Sequence, residues 1–258
     1  MIDSKIQAEL RAKYNPDGSL LRQHQLRMVE MLKYFDELCQ KHDIKYWLSS
    51  GNCLGVARHG GFIPWDDDVD VEMMREDYLK LEKVFKETDD YVLQTWKNDN
   101  GYFYFFAKMR DKHSFIDEGH SDSFYKYRGV YIDVFPLEES NIFGHIVSYK
   151  LTRPILSKIK KKSYFSILKN IIFLELYIFR IIFFLLPRKK LRHAYGTGWH
   201  FNFRDKKDIF PLRRVIFEGV EVNVPNDMDG YLKKIYGDYM KIPSEDEIAK
   251  SHAISVIL

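Results

Sequence analysis

Four aspartates are compressed into the six residues Trp65-Asp66-Asp67-Asp68-Val69-Asp70. From Asp68 to Met73, acids alternate with apolar residues (Asp68-Val69-Asp70-Val71-Glu72-Met73), the pattern of a strand whose successive side chains point to opposite faces. Alternation puts Asp68, Asp70 and Glu72 on one face and Val69, Val71 and Met73 on the other. Two carboxylates two residues apart, about 6.6 Å along a strand, can converge on one Mg²⁺ or bracket a pair of ions. Phosphoryl transfer uses such a site, because a divalent metal neutralises phosphate oxygens and helps activate the attacking hydroxyl. An acid triplet is ordinarily a solvated loop, and Asp-x-Asp alone matches often by chance. The approach Gly60-Gly61-Phe62-Ile63-Pro64-Trp65 argues for a site, since it ties the acids to a rigid, aromatic segment. Asp66 and Asp67 are then loop or support residues.

A further carboxylate, Asp133, lies in the apolar stretch Val130-Tyr131-Ile132-Asp133-Val134-Phe135, where an unpaired charge is costly. It either pairs with a cation such as Lys108, Arg110 or Arg128, or supplies a third metal ligand from a neighbouring strand.

The elements that must position these groups are partly readable. Residues 19–42 have the spacing of an amphipathic helix, with Ser19 as N-cap and Leu21, Gln25, Met28, Leu32, Phe35 and Cys39 on its inner face. Residues 44–48 read as a short strand, and residues 51–64 as a structured loop with a short helical piece near 54–57. A helix is expected over 75–88, and strands over 102–109 and 130–135, the latter ended by Pro136. Residues 215–217 and 220–224 flank Glu218-Gly219 as a hairpin, and Asn226 caps a final helix that stops at Gly237. Strands and helices interleave irregularly, so the fold class is α+β or mixed α/β.

The hydrophobic fraction is 45% and the aromatic fraction 16%, enough for a substantial core and against disorder. Cys39 and Cys53 are too few for a disulfide framework and too widely spaced for a zinc motif, and the N-terminus lacks the apolar stretch of a secretory signal, so a cytoplasmic location is expected. The overall charge of +3 is uneven. Residues 148–193 carry twelve Lys or Arg against the single acid Glu175, a local +11 that leaves −8 on the remainder. Residues 171–186 are apolar but too short to span a bilayer, which takes about 20 residues. If 158–186 is helical, Lys158, Lys162, Lys169 and Arg180 line one stripe, which reads as peripheral contact with the anionic inner face of the cytoplasmic membrane, or as a helical insertion packed on the core with solvated cations. No nucleic-acid motif accompanies the lysines.

The block Leu54-Gly55-Val56-Ala57-Arg58-His59-Gly60-Gly61-Phe62-Ile63-Pro64-Trp65-Asp66-Asp67-Asp68-Val69-Asp70-Val71, continued by Met74-Arg75-Glu76-Asp77-Tyr78, resembles the LicD family of phosphocholine and related phospho-alcohol transferases. Ile132-Asp133-Val134-Phe135-Pro136-Leu137, Phe217-Glu218-Gly219 and Tyr236-Gly237-Asp238-Tyr239-Met240 extend the likeness over residues 20–250. The resemblance implies a nucleotidyltransferase-like mixed β-sheet flanked by helices, with a core at 1–147, a basic apolar helical insertion at 148–193, and the rest of the catalytic domain at 194–258. It implies Mg²⁺ or Mn²⁺ at Asp68, Asp70 and Asp133, and a donor-binding turn at Gly51 with Asn52 beside it. Asn52 departs from the family's usual Thr or Ser. Arg58 is a candidate for the donor phosphate and Lys108 for added positive charge there, each with an ordinary structural ion pair as the alternative; His59 and Trp65 read as loop and packing residues. The expected reaction moves phosphocholine, or a similar group, from a CDP-activated alcohol to a sugar hydroxyl of a cell-surface glycan or its lipid-linked precursor. The rivals are a nucleotidyltransferase that moves a nucleoside monophosphate to a small molecule, and a non-catalytic glycan- or membrane-binding relative.

Overall fold

A computed structural model describes residues 1–117, 124–140, 190–194, 203–248 and 255–258, together with single helical positions at 146, 171, 174, 178 and 181. Two helices open the chain, α1 (Ser4–Tyr14) and α2 (Leu20–Lys41). Ser19 caps α2 by accepting from the Arg22 N–H at 3.2 Å, and the expected inner face is buried from Gln25 to Cys39, with His24 and Asp36 added. Then follow β1 (Tyr46–Leu48), α3 (Ser50–His59), β2 (Asp70–Met74) and α4 (Arg75–Val84). Four strands come next, β3 (Tyr91–Gln94), β4 (Ala107–Asp111), β5 (Phe115–Asp117) and β6 (Tyr131–Ser140). The remainder comprises β7 (Lys190–His193), α5 (Lys206–Ile209), the hairpin β8 (Arg213–Phe217) and β9 (Val220–Val224), α6 (Met228–Tyr236), α7 (Glu245–Ile248) and β10 (Ser255–Ile257).

A mixed sheet in the order β1-β2-β6-β4-β3 forms the centre, with β7 also on β6. Among the described strands, β2 and β6 alone run parallel, registering Asp70 with Asp133. Along the far edge of β6, β4 pairs with Tyr131–Val134 and β7 takes over at Leu137. Pro136 falls between these two partners, so its missing N–H breaks no ladder bond on that edge. That is why β6 runs to Ser140 rather than stopping at the proline. Residue alternation sorts the core into two layers. Tyr46, Leu48, Val71, Met73, Met109 and Val134 pack with Met28, Leu32 and Phe35 of α2, whereas Trp47, Phe106, Phe135 and Leu137 pack with Leu54 of α3 and Leu232 of α6. Asp70, Glu72, Lys108 and Asp133 share the parity of the second layer, so the acid face of β2 looks toward α3 and α6.

Several further boundaries differ from the sequence reading, beginning with α4, which ends at Val84 rather than at residue 88. Residues 50–59 form a ten-residue helix rather than a loop with one turn. Its internal Gly55 is a packing glycine, since a Cβ there would come within 2.4 Å of the Gly61 carbonyl oxygen; the helix ends at Gly60, left-handed at φ 72°. Strand β2 starts at Asp70, two residues later than alternation suggests, because the preceding backbone is held by side chains. Strand β4 starts at Ala107 rather than 102, where Tyr102, Phe103 and Tyr125 instead form a small aromatic cluster. Asp227, not Asn226, caps α6, accepting from the Gly230 N–H at 2.9 Å. The hairpin is as read, with Glu218 at φ 51° and Gly219 at φ 85° forming its turn. Cys39 and Cys53 are buried free thiols. Lys158, Lys162 and Lys169 lie outside the described residues, as does Arg180. Among the described residues no helix is long and apolar enough to cross a membrane.

Candidate active site

Three strands bring one row of charged groups together. Asp70 of β2 registers with Asp133 of β6, and Asp133 registers with Lys108 of β4. Lys108 Nζ lies 2.8 Å from Asp133 Oδ1 and 3.0 Å from Oδ2, and 3.3 Å from the centre of the Tyr131 ring. Of the alternatives for Asp133, pairing with Lys108 is therefore present, while its place beside Asp70 leaves it within reach of the same centre. Arg110 is directed elsewhere, to Gln94 Oε1 and the Gly129 carbonyl, both at 2.8 Å.

At the end of this row, Asp66, Asp67 and Asp68 each offer an oxygen, all within 4.8 Å of one another. Asp66 and Asp67, read from the sequence as loop or support residues, therefore belong to the acid cluster, which strand alternation alone does not indicate. One of its oxygens, Oδ2, is buried without a hydrogen-bond partner and points at Gly51, where a Cβ would lie 3.3 Å from it. Gly51 is in the first turn of α3, so the cluster faces the helix N-terminus, the end whose backbone N–H groups and dipole favour anions. Burial pushes the Asp66 carboxyl well above the usual range, and the charges of Asp68 and Asp67 push it further. Asp70 is raised for the same reasons, burial first and then Asp68, Asp133 and Asp66, with Lys108 acting against them. A cluster of hard oxygen donors in mutual repulsion, one of them an orphaned buried atom, fits a divalent Mg²⁺- or Mn²⁺-type ion.

Neutral side chains hold the acid backbone. Gln25 of α2 donates to the Asp66 carbonyl at 2.9 Å, and His24 makes a hydrogen bond to the Asp67 backbone. Asn52 of α3 donates to the Asp68 carbonyl at 3.0 Å and accepts from the Asp70 N–H at 2.6 Å. Its amide is thus engaged with the acid run, not turned outward. Gln25 is itself oriented by Asn15 Nδ2 at 2.8 Å and Arg22 Nη1 at 3.3 Å. Arg22 continues to Glu218, 2.7 Å away at the hairpin tip, and Glu218 accepts the Phe62 N–H at 3.0 Å. The Phe217-Glu218-Gly219 segment therefore braces the Gly60-Gly61-Phe62 approach to the acids, and Gly61 is required because a Cβ would strike the Glu218 carboxylate.

The remaining sequence candidates have mixed placements. Arg58 is buried, with Nη1 on the Tyr239 and Lys241 carbonyls at 3.0 and 3.1 Å and Nε on His59 Nε2 at 2.8 Å. Those bonds anchor the chain after α6; the guanidinium also senses the Asp66 charge. Trp65 packs edge-on against Tyr14 and His59, as a packing residue would. Tyr236, at the end of α6, is a residue the sequence reading passed over. Its phenol hydrogen-bonds the Ser50 side chain, and burial followed by the charges of Asp70 and Asp66 pushes it upward. Gln25 carried a usable signal, since an amide on an apolar helix face needs a buried partner; Asp66 carried none beyond its neighbours.

The architecture is a mixed sheet flanked by helices, with acids clustered beside the first turn of α3. Residues 43–179 match the family described as LicD/FKTN/FKRP, nucleotidyltransferase domain, and the chain belongs to this LicD family of transferases. It is 29% identical over 257 residues to the lipopolysaccharide cholinephosphotransferase LicD of Haemophilus influenzae, covering 90% of this chain and 96% of that protein. It is also 40% identical over 55 residues to the human ribitol 5-phosphate transferase FKRP, which covers 21% of this chain and 11% of that one.

Proposed function

We propose that the protein transfers a phospho-alcohol group, with phosphocholine from CDP-choline as the first candidate, to a sugar hydroxyl of a cell-surface glycan or its lipid-linked precursor. The observation that carries this reading is the gathering of Asp66, Asp67 and Asp68 within 4.8 Å of one another, with Asp66 against Gly51 in the first turn of α3 and Asp70 in register with Asp133 beside them. The LicD relative supports the phosphocholine group, and the FKRP relative supports a phospho-alcohol more broadly.

In this reading Asp68 and Asp70 hold Mg²⁺ or Mn²⁺, with Asp66 and Asp133 completing the oxygen set. A bound divalent ion neutralises the pyrophosphate oxygens of the donor and relieves repulsion among the carboxylates. The Gly51 amide, in the first turn of α3, receives a donor phosphate oxygen, at a position where a side chain would crowd Asp66. Asn52, Gln25 and His24 keep the acid backbone in place, and Lys108 orients Asp133. The acceptor oxygen attacks the choline-bearing phosphorus, the bond to the bridging oxygen breaks, and CMP leaves with that oxygen. Asp133 takes the hydroxyl proton. Arg58 acts from behind, fixing the segment after α6 against α3.

The helical positions Ile171, Leu174, Ile178 and Ile181 are each about half exposed at spacings of three, four and three residues, which places them on one helical face. With twelve cations in the surrounding sequence, this face suits peripheral contact with an anionic lipid surface carrying the acceptor.

Incubation with CDP-choline, Mg²⁺ and a glycan extract should release CMP and add a phosphocholine mass to the glycan, and Asp68→Asn or Asp70→Asn should abolish both. Pyrophosphate release from a nucleoside triphosphate, with no CMP from CDP-choline, would replace this reading with nucleotidyl transfer.

A further inference from the structure

Glu72 lies two residues beyond Asp70 on the same face of β2, yet it is fully buried and takes no place among the clustered acids. Both its oxygens are occupied by donors from four parts of the chain. Oε1 accepts from Arg204 Nη2 at 2.6 Å and from His193 Nε2 of β7 at 3.0 Å. Oε2 accepts from Tyr231 Oη of α6 at 2.9 Å, from Trp47 Nε1 of β1 at 3.0 Å, and from Arg204 Nε at 3.4 Å. A carboxylate ringed by a guanidinium and three further donors is an acceptor at every position, so the single phenolic proton of Tyr231 must point at Glu72.

That constraint reaches the donor site. With its proton committed to Glu72, the Tyr231 oxygen presents lone pairs on its other side, where the Ser50 N–H approaches at 3.3 Å and the Ser49 hydroxyl at 3.4 Å. Ser50 is the first residue of α3 and sits at φ 40°, in the left-handed region that a non-glycine residue occupies only when its surroundings hold it there. Ser49, the N-cap position, makes no capping bond through its own side chain.

We infer that Glu72 and Tyr231 are positioning residues for the reaction, holding Ser49 and Ser50 so that the first turn of α3 meets the acid strand at a fixed distance. The inference rests on the proposed function for what binds at that turn, but the geometry stands on this chain alone. Glu72 joins the acid strand to α6, and Tyr231 joins α6 to the turn. Moving either changes the spacing between the Gly51 amide and the acid cluster without touching a reacting atom.

Two variants separate positioning from mere stabilisation. Tyr231→Phe deletes the phenol that reaches Ser50, while Trp47→Phe deletes a donor to the same Glu72 oxygen without any bond to α3. Hydrogen exchange by mass spectrometry, read on peptides covering residues 49–53 and on α2 as a reference, should show the first turn of α3 exchanging about three- to tenfold faster in Tyr231→Phe, the range expected for loss of one neutral hydrogen bond. Trp47→Phe should leave that turn near its wild-type rate. In the CDP-choline assay, Tyr231→Phe should raise the donor KM by a similar factor with the acceptor KM unchanged, and Trp47→Phe should not. Equal protection of the turn in both variants and the wild type, or equal loss in both, overturns the inference. Altered exchange with no CDP-choline turnover in the wild type leaves the positioning role standing and refutes the donor assignment instead.

Discussion

Replacing Asn52 by alanine removes both side-chain bonds that tie the acid run to α3. The amide gives one bond to the Asp68 carbonyl and receives one from the Asp70 N–H, and the residue is only 1% exposed. A buried polar group left unpaired costs about 1–3 kcal/mol. Water can reach the half-buried Asp68 and Asp70 and restore part of that, so the expected loss for the pair is on the order of 2–4 kcal/mol. Each kcal/mol moves the Tm of a chain this size by about 2–4 °C, which gives a fall of roughly 5–15 °C. Asn52→Asp sharpens the test. At pH 8 it keeps the acceptor, loses the donor and adds a charge beside carboxylates that already repel one another. Near pH 5 the new carboxyl takes up a proton and can again donate to the Asp68 carbonyl, so its deficit relative to wild type should shrink. Differential scanning fluorimetry in EDTA at both pH values reads the stability, and CMP release reads the donor KM. If Asn52→Ala stays within about 1 °C of wild type while the donor KM climbs, the amide serves the donor phosphate and the clamp is wrong.

Asp70→Asn should raise the Tm of metal-free protein, because it removes repulsion from Asp68, Asp133 and Asp66, and it should abolish the upward Tm shift that Mg²⁺ produces in the wild type; a lower metal-free Tm with an intact Mg²⁺ shift would refute the metal assignment. His24 is held down to about 4 by burial, so the unfolded chain takes up its proton first: the contribution is complete above about pH 6.5 and is lost as pH falls toward 4, at about 1.4 kcal/mol per unit. Urea titrations of His24→Gln should accordingly show a shallower loss of stability than wild type between pH 6.5 and 4.5, and parallel curves would refute it. Vesicles containing phosphatidylglycerol should co-sediment the wild type and not a variant with Leu174, Ile178 and Ile181 changed to Ser; equal binding would remove that face as the contact.

Alternation and the apolar setting of Asp133 identified the row across β2 and β6, because those side chains are fixed by a two-residue period and need no distant partner to be noticed. The helix α2 and the hairpin were legible for similar reasons: a cap, a stripe and a Glu-Gly turn are local. Where long-range packing sets the outcome, the reading failed. The helix over 50–59 was legible only as a short piece near 54–57, since the Gly61 carbonyl that explains Gly55 is brought against it by the fold, and Pro136 looks like a strand terminator until β4 and β7 are seen to change places around it. Asp66 and Asp67 both join Asp68 in the cluster, which alternation could not show because neither lies on the strand. Glu72 was placed on the right face of its strand, but β7, α6 and Arg204, which arrive more than 100 residues later, turn it from an acid of the cluster into a buried hub.

The chemistry of the clamps explains why the acid run is built this way. Carboxylates gathered for a divalent ion repel one another when the ion is away, and the cheapest relief would be nearby arginines or lysines. Cations at those positions would compete with the metal and weaken its hold. Here the backbone of Asp66 through Asp70 is gripped by glutamine, histidine and asparagine side chains, which fix geometry without adding charge, and His24 is kept neutral by burial. The guanidinium of Arg22 is kept one residue further back, neutralised by Glu218 and acting on the acids only through Gln25. Lys108 departs from that pattern, bonded to Asp133, the acid to which the proton-accepting role is assigned, and the Arg58 guanidinium senses the Asp66 charge. Glu72 shows the contrast on the same strand: given Arg204 it is held well below the usual carboxylate range despite its burial, and it serves structure. Charge compensation thus separates the two kinds of acid on β2, with full pairing where a fixed scaffold is needed and neutral restraint where an ion must enter.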